Sequence, residues 1–195
     1  MTSVTSPSLS CDQVADPSRR SASLIALALI GVCVAAEVAV LRIGVDDLDE
    51  GYFAQQAVRV LHGQVPFRDF ATLYSPGLAY LHAWLFAVLG EPSLVAMRAL
   101  AVVARAGLAG LLYVLARPLV RQPLWAAWPG VFLFLALDDA PVRWEPHPGW
   151  LSTLLAVLAT VFVSRRQPLA AGAAAALSYA FKQNTGLFML GAILA

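Results

Sequence analysis

Apolar residues fall along this chain in long blocks separated by short polar stretches, a pattern of helices and not of the alternation that marks half-buried strands. The first block, residues 23–45, reads SLIALALIGVCVAAEVAVLRIGV. Its apolar core of about 18 residues is long enough to cross roughly 30 Å of hydrocarbon at 1.5 Å per residue. A signal peptide is the alternative for this block, because basic residues precede it, although a signal's apolar region runs only about 7–15 residues. A polar stretch follows, from Asp46 to Ser75. Within it, EGYFAQQAVRVLHG predicts an amphipathic helix over 50–62, with Phe53, Ala57, Val60 and Leu61 on one face and Gln55, Gln56, Arg59 and His62 opposite. Asp49 stands at the N-cap position and Gly63 at the C′ position. At about 13 residues this helix is too short to span a bilayer and should lie along its interface. VPFRDF is then expected to run extended. Ser75-Pro76 opens a further helix over 76–89, with Ser75 as cap and Gly90 as terminator. Apolar segments continue at 93–116, 124–140, 148–163, 168–181 and from 186 onward.

Whether 76–89 spans the membrane decides the topology. About 14 residues reach only about 21 Å. If the segment does not span, Arg19, Arg20, Arg117, Arg121, Arg165 and Arg166 all lie on one side, as the positive-inside rule prefers; if it does, the last four cross over. Trp125 and Trp128 then mark the cytoplasmic interface, Trp144 and Trp150 the outer one. The expectation is an all-α, polytopic transmembrane helix bundle. Residues 1–21 form a disordered cytoplasmic tail. Residues 46–92 form an outer loop carrying juxtamembrane amphipathic helices. The chain stops inside an apolar run, so 22–195 is expected to be the N-terminal part of a longer transmembrane domain.

Composition agrees with this class. Of 195 residues, 59% are hydrophobic and 13% charged, against roughly 25% charged in ordinary soluble domains. Thirteen basic residues face twelve acidic ones, which removes the basic surplus of a nucleic-acid binder. Cys11 and Cys33 form no disulfide or metal-site pattern. Twelve of the thirteen basic residues are arginine; Lys182 stands alone.

On this topology nine acids, Asp46, Asp47, Asp49, Glu50, Asp69, Glu91, Asp138, Asp139 and Glu145, fall on the outer side together with Lys182. The cluster Asp46 to Glu50 admits two readings: a helix-capping turn, since carboxylates favour helix N-termini, or a general base or metal ligand at the membrane surface. Asp138, Asp139, Glu145 and His147 are either an ordinary polar loop or a loose set of hard-oxygen and imidazole ligands. Glu37 and Arg105 lie within spans and are expected to pair, with lipid phosphate as the alternative contact for Arg105 and, nearer the surface, Arg98. His82 is expected to pack at the interface.

The succession DLDEGYFAQQAVRVLHGQVPFRDF, YSPGLAYLHAWLFAVLG and a span opening with Arg98 resembles the N-terminal region of GT-C fold glycosyltransferases. The likeness is to the lipid-A aminoarabinose and galacturonosyl transferases, the protein mannosyltransferases and the bacterial dolichyl-phosphate-mannose mannosyltransferase-like group. Asp49-Glu50, Gly63, Pro76, Gly90, Arg98, Glu145-Pro146 and Lys182 fill that pattern in order, from about residue 20 to the end. Ser75 departs from it, standing where the family carries a basic residue. The resemblance implies transfer of a sugar from a polyprenyl-phosphate-linked donor to a lipid or glycan acceptor at the extracytoplasmic face. It implies Asp49, with Glu50, as the catalytic carboxylates, and Lys182, Arg59 and Arg98 as contacts to the departing phosphate. Glu145 or His147 would approach the same cavity. A divalent metal, Mg or Mn, is an optional cofactor, with Asp49, Asp138 and Asp139 as its candidate ligands. Donor, acceptor and membrane lipids are the expected partners, and nucleic acid is not. A transporter or non-catalytic membrane subunit is the rival class; it would account for the buried Glu37 and Arg105 but not for a carboxylate-rich amphipathic first loop.

Overall fold

The computed structural model of the chain describes residues 17–43, 49–136 and 147–194, and these are helical apart from turns and short connections. The helices are α1 (Pro17–Val40), α2 (Asp49–Leu61), α3 (Gly77–Leu89), α4 (Leu94–Ala116), α5 (Pro123–Ala136), α6 (Pro148–Ser164), α7 (Pro168–Phe181) and α8 (Gln183–Leu194). The fold is all-α. Two helical stretches, Arg20–Ala39 and Leu94–Leu119, are long and apolar enough to cross a membrane.

The punctuation behaves as its chemistry dictates. Gly90 closes α3 at φ 80° and donates its N–H to Phe86 O, and Gly63 follows α2 at φ 82°. Ser93 caps α4 by accepting from Ala96 N, and prolines stand in the first turns of α6 and α7. Pro17 to Ser21, expected within the N-terminal tail, belong to α1, and the rest of that expected tail lies outside the described residues.

Three contacts run in register along α1 and α4 and make them antiparallel. Ala22 packs with Tyr113, Glu37 pairs with Arg105 at 2.7 Å, and Leu41 O accepts from Arg98 Nη1 at 2.8 Å. Helix α6 lies parallel to α4, with Trp150 against the Arg105 guanidinium and Leu154 against Gly107. Helix α7 returns along α6. Ser152 Oγ donates to Ser178 O and Ser178 Oγ to Ser152 O, at 3.0 and 2.8 Å, inside a seam kept narrow by Ala171, Ala174 and Ala175. Helix α8 folds straight back on α7, with Gly186 against the Tyr179 backbone. One end of the bundle therefore holds Arg20, Arg117, Arg121, Arg165 and Arg166. The other holds Leu41, Arg98, His147 and Lys182.

Helices α2 and α3 pack on each other and cover that second end. Phe53, Ala57, Leu78, Ala83, Phe86 and Met97 form a common core, joined by Leu151 and Phe181 from below. Gly77 lets α3 touch α7, since a Cβ there would meet Ala180 O. The other flank of α3 leaves Tyr80, Trp84 and Val88 exposed.

Two local expectations are corrected. The buried face of α2 is Glu50, Phe53, Gln56 and Ala57, whereas Leu61 is 39% exposed. The helix is rotated because the strap that follows it covers Gln56, whose Oε1 accepts from Thr72 Oγ1, and bonds Leu73 N to Tyr52 Oη. VPFRDF is not extended but a tight turn. Phe67 N donates to Phe70 O, Asp69 Oδ2 accepts from Val65 N, and Phe67 adopts φ 66°. Arg68 holds the Asp69 carboxyl down to about 2, which keeps it an acceptor for that turn.

At the covered end, Arg98 donates Nε to Glu50 Oε1 and Nη2 to Glu50 Oε2, both at 2.6 Å, while Nη1 reaches Leu41 O. Both side chains are buried. The guanidinium thus joins the end of α1, the start of α2 and the start of α4. Arg98→Leu or Glu50→Leu alone should lower stability by about 3–5 kcal/mol, because each strands a buried charge. The double variant should lose clearly less than the sum, as a double-mutant cycle of unfolding midpoints would show. Additive losses would remove the knot.

Candidate functional site

Three of the residues singled out in the sequence meet at this end. Asp49 opens α2, one residue before Glu50, so the ion pair that holds Glu50 also fixes where Asp49 stands. His147 caps α6. Lys182 forms the corner between α7 and α8: its N–H closes α7 on Ser178 O, and its carbonyl accepts from Gly186 N to open α8. With extended angles, φ −149° and ψ 110°, this one residue replaces a loop.

The imidazole of His147 lies within electrostatic reach of both partners. Burial first, then the Lys182 ammonium, push it below the ordinary histidine range, and Asp49 pulls the other way. Lys182 Nζ lies 3.8 Å from where a Cβ on Gly149 would stand, and that point is 2.8 Å from His147 Nδ1. Only a glycine leaves this space open. A carboxylate and an ammonium near one imidazole can accept a proton and hold an anion.

A residue that sequence reasoning missed completes the group. Tyr74 Oη is 3.1 Å from His147 Nε2, their rings meet edge-on, and Phe53 packs against both. Nothing in the local pattern marks Tyr74, because its role comes from a helix beginning more than seventy residues later. Ser75 is not the cap of α3: its N–H and Oγ both bond to Gln183 Oε1, at 3.1 and 2.9 Å. This clamps Tyr74-Ser75 beside Lys182-Gln183.

Other candidates stand elsewhere. Glu50 and Arg98, expected as a catalytic carboxylate and a phosphate contact, pair with each other in the knot. Arg59 is ten residues along α2 from Asp49, about 15 Å away at helical rise. It donates to Gln64 Oε1 and Asp69 O, and lies 4.3 Å over the Phe70 ring. Asp138, Asp139 and Glu145 lie outside the described residues. Among the described residues no three His, Cys, Asp or Glu side chains gather as metal ligands. Glu37 and Arg105 pair as expected.

His82, expected to pack at the interface, is fully buried instead, in the wall between α3, α4 and α6. Neither ring nitrogen has a hydrogen-bond partner among the described residues, and burial pushes its pKa down to about 4. No protein-family model, curated protein or solved structure matches this chain.

The His82 shift has a stability consequence with a definite sign. The folded state holds the ring neutral, so its contribution is complete above about pH 6.5, the unfolded value, and is lost as pH falls towards about 4. The span corresponds to about 3 kcal/mol. His82→Leu should flatten the fall in unfolding midpoint between pH 7 and pH 4.5; an unchanged slope would show that His82 is not the group that titrates.

Proposed function

We propose that this chain carries catalytic residues of a polytopic membrane glycosyltransferase of GT-C type. It transfers a sugar from a polyprenyl-phosphate-linked donor to a lipid or glycan acceptor at the extracytoplasmic surface. The observation that supports this most is the grouping of Asp49, His147 and Lys182 at the bundle end covered by α2 and α3, opposite the end that gathers Arg20, Arg117, Arg121, Arg165 and Arg166. An arginine-rich end is the cytoplasmic one by the positive-inside rule, which makes the covered end extracytoplasmic. A donor whose phosphate sits at the headgroup level needs its reacting groups there, with an apolar flank for its tail, and the exposed Tyr80, Trp84 and Val88 of α3 supply such a flank.

The chemistry is a displacement at the anomeric carbon. The acceptor oxygen forms the new bond to that carbon as its proton passes to Asp49. The bond from the carbon to the phosphate oxygen breaks, and its electron pair leaves with the phosphate. Lys182 meets the charge that develops there as a compact cation. His147, held neutral, fixes the spacing between them.

In the full-length protein, reconstituted in vesicles with a labelled polyprenyl-phosphate sugar, Lys182→Met should slow release of label from the lipid by about 10²–10³-fold. Lys182→Arg should lose much less. Asp49→Asn should lose about 10²-fold or more with membrane insertion unchanged. Normal turnover in Lys182→Met would reduce the lysine to an anchor and overturn the assignment.

A further inference from the structure

We infer that Tyr74 is a direct hydrogen-bond donor to the anionic group bound at Lys182, and that the Gly149–His147 contact holds it in that role. This rests on the proposed phosphate site and adds to it a second donor. The argument starts from one proton. His147 Nδ1 accepts from the Gly149 N–H at 3.0 Å, as the cap of α6. A ring nitrogen that accepts carries no hydrogen, so the neutral imidazole must be protonated at Nε2. Nε2 lies 3.1 Å from Tyr74 Oη and therefore donates to it. The phenol oxygen is then the acceptor in that bond, and its own hydrogen is directed elsewhere. No other partner of that hydroxyl exists among the described residues.

The clamp next to Tyr74 places its strap beside the Lys182 corner. Ser75, the neighbour of Tyr74, is bonded twice to Gln183, the neighbour of Lys182. Lys182 Nζ and His147 Nδ1 both lie beside the point where a Cβ on Gly149 would stand, at 3.8 and 2.8 Å, and the Nε2 edge of the same imidazole holds Tyr74. The phenol and the ammonium thus lie beside one ring, and both are donors without an acceptor of their own among the described residues. Two donors beside one imidazole, one charged and one neutral, suit an anion such as phosphate. Depressed protonation of His147 supports the arrangement, because a proton on Nδ1 would collide with the Gly149 N–H and release the cap.

The chain's own residues separate this role from mere packing. Asparagine at 147 reproduces the Nδ1 acceptor but has no donor for Tyr74; glutamine reaches the Nε2 position and can donate. The probe is farnesyl phosphate, titrated into the purified full-length protein in detergent and read by ³¹P NMR, both as affinity and as the second ionisation of the bound phosphate. Tyr74→Phe should weaken binding about 10-fold or more and raise the bound phosphate's pKa, since one donor to the dianion is lost. His147→Asn should behave like Tyr74→Phe, and His147→Gln should restore most of the affinity. Phosphate ionisation unchanged in Tyr74→Phe, with Lys182→Met still abolishing binding, would overturn the Tyr74 role alone. Absence of saturable binding by the wild-type protein would overturn both this inference and the phosphate site on which it rests.

Discussion

The fold at the end covered by α2 and α3 depends on a charge pair placed where charges are expensive. Arg98 and Glu50 are both buried, and a buried pair holds only if nearly every donor and acceptor finds a partner. Here the fork of the guanidinium meets both carboxylate oxygens, and its remaining arm reaches the carbonyl of Leu41. Three helix ends are pinned at one point. A hydrophobic substitute would fill the volume but would not specify the angle at which α2 leaves α1, and that angle carries Asp49. Glu37 and Arg105, stacked on Trp150, do the same one layer deeper, tying α1, α4 and α6 together.

On the far side of the site the constraint is steric, not electrostatic. Gly77 against Ala180, Gly149 beside His147, and Gly186 against Tyr179 each mark a place where a Cβ would collide. These close approaches let α7 turn into α8 through Lys182 alone and let the Tyr74 strap lie along that corner. The polar side chains between them are thereby gathered without a long loop, on rigid elements, which is the condition for precise placement of reacting groups.

Much of the helix layout was legible in the chain. Pro148, Pro168, Gly63 and Gly90 are local signals, since a missing N–H or a positive φ is felt within a turn, and the helices begin or end beside them. Asp49, His147 and Lys182 could be named from their residue types and from a family resemblance. What could not be read is whatever depends on distant partners. The rotation of α2 follows from Thr72 bonding Gln56, and the pairing of Glu50 and Arg98 reaches across 48 positions. Tyr74 belongs with these: a tyrosine before a serine and a proline looks like a linker until His147 is seen beside it.

The proposed function requires Asp49 and Lys182 to face one space large enough for a sugar and its phosphate. Spin labels attached to cysteines at 49 and 182, in a background with Cys11 and Cys33 replaced, measure that separation in a lipid bilayer. A sugar with its phosphate between base and cation requires Asp49 and Lys182 to be about 7–15 Å apart, so strong dipolar broadening is predicted, whereas a separation beyond about 25 Å would contradict the account.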